Sequence, residues 1–103
     1  MGPRLSPANL KLYRVTDEVL HYLWDPIGVA GDPEARDEYN GYLGMVFRLV
    51  KEGSSESVIA QNLDEARTEK MGLQSDIRKC LRIASILIRW RQFIEKPNVS
   101  WNA

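Results

Sequence analysis

Carboxylates crowd one short stretch of this chain, with Asp25, Asp32, Asp37 and Glu38 on either side of a glycine-bearing loop. Gly28 and Gly31 in that loop would let main-chain carbonyls turn toward a common centre. Hard oxygen donors of this kind suit a divalent cation, and the chemistry they would support is a metal-assisted reaction at Asp25, Asp37 and Glu38. The spacing does not match the calcium-binding helix–loop–helix, which needs oxygen ligands at alternate positions from its first acid. Ile27 and Val29 stand at those positions. The same residues have a structural use: Trp24 anchors the loop in the core, Asp25 accepts main-chain N–H groups in the turn, and Tyr39 hydrogen-bonds across it. They also have a use in recognition. Trp24, Asp25, Ile27, Val29, Asp37, Glu38 and Tyr39 form a candidate surface for docking another protein.

Other chemistry finds little support. His21 is the only histidine, so no zinc-binding pair and no histidine relay can form within one chain. Its spacing places it on a helix surface beside acids, and near Asp17 or Asp25 it could instead act as a lone base. Cys80 falls on the apolar face of the last helix, where a cysteine behaves as an inert small hydrophobe. No serine occupies a nucleophile elbow, and no glycine-rich loop has phosphate-binding spacing. Residues Ser57 to Leu63 resemble the first helix of a helix-turn-helix, and Arg78, Lys79, Arg82 and Arg89 follow on the next helix. The glycine turn that motif needs is missing, because Asp64-Glu65-Ala66-Arg67 continues the helical pattern. No catalytic residue and no cofactor is assigned.

Composition narrows the class. The chain has 103 residues, 14 basic and 14 acidic side chains, 44% hydrophobic and 27% charged residues. That balance excludes a disordered chain and a protein that meets nucleic acid through bulk positive charge. A single cysteine suits a reducing compartment. No apolar run approaches the ~18 residues of a membrane span, and no signal-peptide core is present, so the expectation is a cytoplasmic protein with no membrane partner.

The elements that would position these residues are helices. Ser6-Pro7 opens the first, with Leu12, Val15, Val19 and Leu23 on one face and Tyr13, Leu20 and Trp24 on its flank, and Asp25-Pro26 ends it. Asp32-Pro33-Glu34 repeats the start signal for a second helix carrying Tyr39, Tyr42, Leu43, Val46, Phe47 and Val50. Gly41 and Gly44 weaken it by about 1 kcal/mol each, which moves its firm start toward Tyr42, and they also suit close approach of a neighbouring backbone. Gly53 closes it. Ser54 or Ser55 caps a third helix with Val58, Ile59, Leu63, Ala66 and Met71, ended by a left-handed Gly72. Ser75 and Asp76 open the last, which runs to about Lys96. No run alternates with period two. The chain reads as an all-α, single-domain bundle of four main helices, with residues 1–6 and 97–103 as loosely packed tails and Trp101 as a candidate anchor in the second tail.

The last helix is apolar on two sides. Ile77, Cys80, Leu81, Ala84, Leu87, Ile88 and Ile94 make one face, and Ile83, Ile86, Trp90 and Phe93 a second stripe. Such a helix is packed centrally or faces another subunit, so the second stripe is a candidate homodimer seam. Charge is segregated as well: Asp17 to Glu38 holds seven acids and one arginine, whereas Asp76 to Lys96 holds six bases and two acids. The two segments are expected to lie side by side within the monomer, or else to meet a charged partner.

The run Trp24-Asp25-Pro26-Ile27-Gly28-Val29, the run Glu34-Ala35-Arg36-Asp37-Glu38-Tyr39-Asn40 and the later Met71-Gly72-Leu73 resemble a group of small bacterial proteins related to the YugE-like helical domain of unknown function. The resemblance spans roughly residues 12 to 73. It implies a helical fold and no particular reaction. The chain departs from the pattern at Asn40, where aspartate is common, and at Gly44, where proline is expected. The first departure removes a carboxylate from any acidic site. Taken together, the sequence predicts a non-catalytic, cytoplasmic protein-interaction module whose partner is another protein or a second copy of itself.

Overall fold

Three of the four helices begin where a side-chain oxygen receives a main-chain N–H that the helix leaves unpaired. The computed structural model describes residues 5–96. In it Ser6 accepts from Asn9 N–H at the start of α1 (Pro7–Val19), Ser55 accepts from Val58 N–H at the start of α3 (Glu56–Glu65), and Asp76 accepts from Lys79 N–H at the start of α4 (Ile77–Ile94). Ser6 is thus part of the bundle's first cap and not of a tail. The reading of residues 97–103 as a tail, and of Trp101 as its anchor, lies outside the described residues. Among the described residues there is no strand, and no helix is long and apolar enough to cross a membrane.

The second helix takes the later of the two starts the sequence offers, at Asn40 and close to Tyr42. Asp32 does cap, accepting from Glu34 N–H, but the helix it opens lasts a single tight turn, Pro33–Ala35. Further turns carry the chain to α2 (Asn40–Lys51), which has no side-chain cap. Gly53 closes α2 with φ 83°, while Ser54 N–H reaches back to Leu49 C=O at 3.0 Å, the six-residue closure of a left-handed helix end. The close backbone approach expected at Gly41 and Gly44 is not found, since a Cβ at either would meet nothing within 4 Å.

The helices form a closed cycle in which α1 packs on α2, α2 on α3, α3 on α4 and α4 on α1, and the α3–α4 contact is the most extensive. Leu43, Val46, Phe47 and Val50 of α2, Ile59, Ala60 and Leu63 of α3, and Cys80, Ile83, Ala84 and Leu87 of α4 are all buried, each set at helical spacing. Ile83 therefore belongs to the monomer's core and not to an outer seam. The core stripe of α4 runs i, i+3, i+4, i+7 from Cys80, and Ile77, the first residue of the helix, is 40% exposed. Two segments wind more widely. Leu20–Trp24 extends α1 as a π-turn, and Ala66–Lys70 extends α3 in the same way. Asp64 then ties the descending chain to α4, accepting from the Ser75 hydroxyl and from Asp76 N–H at 2.7 Å.

The sequence counts Val58 and Leu63 alike among the apolar residues of the third helix, whereas the fold leaves Val58 44% exposed and Leu63 fully buried. Leu63→Ala is expected to destabilise by about 2–5 kcal/mol, and Val58→Ala by no more than about 0.5 kcal/mol. Urea unfolding of the two variants tests this, and equal losses would contradict the packing described.

Candidate functional site

The loop after α1 is built around one carboxylate. Asp25 N–H bonds Leu20 C=O at 3.0 Å, five residues back, and this closes the π-turn. Asp25 itself takes φ 33°, ψ 60°, and it is the only non-glycine residue with positive φ among the described residues. L-residues enter that left-handed region at a cost of about 1–2 kcal/mol, and aspartate enters it more readily than most. The side chain offsets the cost. Its Oδ1 accepts Val29 N–H at 2.8 Å, and its Oδ2 accepts Ala30 N–H at 3.0 Å. The Tyr39 hydroxyl donates to Oδ1 at 2.6 Å and accepts Ile27 N–H at 3.1 Å. Gly28, at φ 71°, completes the turn by donating to Asp25 C=O.

Below this lock lies a cluster of rings. Trp24 is fully buried, with its ring 5.4 Å from Tyr39 and 6.0 Å from Tyr42. Burial pushes the Cys80 thiol above its ordinary range, as suits an inert core cysteine. A second tie holds the far side of the loop. Arg36 forms two hydrogen bonds to Asp17, at 3.1 and 3.0 Å, and its guanidinium lies 5.4 Å from the centre of the Tyr22 ring. The Asp17 carboxylate raises the arginine's pKa further. Both side chains are about one-third exposed, so the pair's worth lies in fixing position more than in stability.

These placements revise the sequence reading residue by residue. Trp24 and Tyr39, proposed as docking residues, are 0% and 3% exposed and support the loop from within. Asp25 and Val29 are half-buried, while Ile27, Asp37 and Glu38 are exposed. Asp25, Asp37 and Glu38 do not gather: no group of three or more His, Cys, Asp or Glu side chains that could hold a metal ion occurs among the described residues. Both Asp25 oxygens are instead occupied by N–H and O–H donors. Along α4, Ile86 is half-buried, and Trp90 and Phe93 are 40% and 41% exposed with their rings edge to face. The α3 segment and its π-turn run unbroken to Lys70, so the tight turn of a helix-turn-helix is absent between α3 and α4.

His21 is the largest surprise. Expected on the helix surface, it is 2% exposed, and its Nδ1 has no hydrogen-bond partner among the described residues. The π-turn moves it inward, next to Tyr22, whose ring centre lies 4.5 Å away. His21, Tyr22, the loop from Ala30 to Pro33, and Arg36 line a cleft of about 270 Å³. Its one advance signal in the sequence is position, since His21 lies four residues before the Asp25 that reverses the chain. Comparisons with family models, with curated proteins and with solved structures found no match to this chain.

The lock has a defined acid response. Burial alone raises the Asp25 carboxyl's pKa, but the Tyr39 hydroxyl and the Val29 and Ala30 N–H groups outweigh it and hold the group below its ordinary 3.8. The unfolded chain then takes up the proton more readily than the fold does. The stabilisation is complete above 3.8 and is lost as pH falls through the lower folded value. Tyr39→Phe is expected to cost about 1–3 kcal/mol at neutral pH, because it strips a donor from Asp25 and an acceptor from Ile27 N–H. The gap between wild type and variant should narrow as pH falls below 3.8. Denaturant titrations across that range read both effects, and a gap independent of pH would remove Asp25 from the account.

Proposed function

We propose that this chain is a small, cytoplasmic, non-catalytic interaction module that presents the loop end of the bundle to another protein. The observation that carries the reading is a run of exposed apolar side chains on a tied loop: Tyr22 is 54%, Leu23 50% and Ile27 43% exposed. Exposed carboxylates at Asp32, Glu34, Asp37 and Glu38 lie in the same segment. An apolar centre with a charged rim is the anatomy of a protein-binding surface. The Asp25 lock holds the loop in one shape, so less conformational entropy is lost on binding than a free loop would lose. The acidic rim selects a partner with basic surface and speeds its approach in a salt-dependent way. Kinship with the YugE-like domain is part of the same proposal, resting on the WDPIGV and EARDEYN runs that build the loop and its ties.

The experiment is affinity enrichment from the source cells, followed by titration of the purified partner. Leu23→Arg and Ile27→Lys are each expected to weaken binding about 30-fold with unchanged melting temperature, while Met45→Lys on the exposed side of α2 leaves binding intact. A partner that binds all three variants as it binds the wild type would move the surface elsewhere.

A second reading is self-association through α4. It is supported by an apolar groove of about 440 Å³ lined by Ile86, Arg89, Trp90 and Phe93. Sedimentation equilibrium is expected to show a mass above the monomer's that Trp90→Glu returns to it. A monomeric wild type at the highest soluble concentration would end this reading.

A further inference from the structure

We infer that the cleft beside His21 receives a single cationic side chain, a lysine or arginine of the partner protein; this rests on the interaction reading above and names the anchor that reading lacks. The cleft is lined by the π-turn residues His21 and Tyr22, by Ala30 to Pro33, and by Arg36. At about 270 Å³ it lies below the ~300–1,000 Å³ of sites that enclose drug-sized molecules, with room for a single side chain.

Charge decides the sign of the occupant. The one cation in the lining, Arg36, is already spent, because both its hydrogen bonds run to Asp17 and its guanidinium lies by the Tyr22 ring. The Asp17–Arg36 pair is neutral as a unit. Asp32 is not neutralised: the one partner its carboxylate has among the described residues is Glu34 N–H, accepted at 3.0 Å, and no ion pair involves it. The segment around the cleft holds an excess of acids, with Glu34 exposed beside Asp32. An anion entering here would meet Asp32 with no free cation to offset it.

The imidazole fits the same occupant. Which ring nitrogen of a histidine carries the proton is set by what the other nitrogen bonds. His21 lines the cleft, and its Nδ1 has no hydrogen-bond partner among the described residues, so no bond there fixes the tautomer. Lysine and arginine supply N–H donors together with the positive charge that Asp32 lacks.

His21 is the only histidine, so in tag-free protein its imidazole proton signals form an isolated NMR probe of the cleft. The titrants are Nα-acetyl-arginine methylamide and Nα-acetyl-glutamate methylamide, added at constant pH and ionic strength. The expected result is a saturable shift of the His21 signals with the arginine compound and none with the glutamate compound. Asp32→Asn should weaken the arginine compound about fivefold. Asparagine caps the Pro33–Ala35 turn as aspartate does, so this variant keeps the loop. No saturable shift, equal shifts with both compounds, or an unchanged response in Asp32→Asn would each overturn the inference. With the purified partner, Asp32→Asn should weaken the complex by a similar factor. A partner sensitive to Leu23→Arg and Ile27→Lys but indifferent to Asp32→Asn overturns the anchor and leaves the docking surface standing. A partner indifferent to all three overturns the reading on which the anchor rests.

Discussion

The hydrogen bond from the Tyr39 hydroxyl to the Asp25 carboxylate joins two parts of the chain fourteen residues apart, and the loop end of the bundle is organised around it. Asp25 occupies a left-handed conformation that a side chain without acceptors would leave uncompensated. Its two oxygens collect Val29 N–H, Ala30 N–H and the Tyr39 hydroxyl, and the same hydroxyl takes up Ile27 N–H. Main-chain groups in a loop of this length would otherwise depend on water. The lock also fixes the end of α1. With the chain reversed at Asp25, the π-turn before it must deliver Trp24 into the core and His21 against the cleft, and Leu23 and Tyr22 outward. Buried ring packing and exposed apolar surface thus come from consecutive residues under one constraint.

That constraint also marks the limit of what the sequence tells. Four helices, their capping residues at Ser6, Ser55 and Asp76, and the left-handed closures at Gly53 and Gly72 follow from local chemistry, and the fold contains them. The wheel fails at Leu20–Trp24. A 3.6-residue period carries Leu12, Val15 and Val19 on to Leu23, but a π-turn holds an extra residue, and the inward position passes to Trp24. Nothing in the residue types of Leu20-His21-Tyr22-Leu23-Trp24 announces that change of phase. The second helix starts late, near the Tyr42 that Gly41 and Gly44 pointed to, and distant partners contribute to the delay. Asp32-Pro33-Glu34 is a genuine start and Asp32 caps it, yet Arg36 is held by Asp17 and Tyr39 by Asp25. These distant partners, with Gly41 and Gly44 weakening the local preference, delay the regular helix to Asn40.

The candidate site divides along the same line. Asp25 as a main-chain acceptor and Tyr39 as its cross-loop donor are legible, because an Asp-Pro turn with following glycines needs an acceptor and a nearby tyrosine can serve it. The cleft is not legible. Its walls come from residues 21–22 and 30–36, which share no periodicity and meet only because the Asp25 reversal and the Arg36–Asp17 pair bring them together. The fate of the acids was equally hidden. Asp17 and Asp25 turn inward to ties, whereas Asp32, Glu34, Asp37 and Glu38 remain exposed to water.

The distribution of those acids bears on what kind of site this end of the bundle can be. Metal-ion chemistry requires several carboxylates to converge at short range, where their mutual repulsion is offset by the cation. Here the carboxylate with the best-defined surroundings, Asp25, is already saturated by neutral donors, and its near neighbours spread apart. Spread carboxylates in water repel one another weakly, so the loop keeps its shape without a counter-ion. Their combined field still reaches a Debye length from the surface, and it draws positive charge toward this end of the molecule. The basic helix within the same chain does not quench that field through ion pairs. The two ion pairs among the described residues are Arg36–Asp17 within the loop region and Arg91–Glu95 within α4. The acidic end therefore retains exposed charge while its shape is held by the hydrogen bonds to Asp25 and by the Arg36–Asp17 pair, and that is the surface the proposed basic partner would meet.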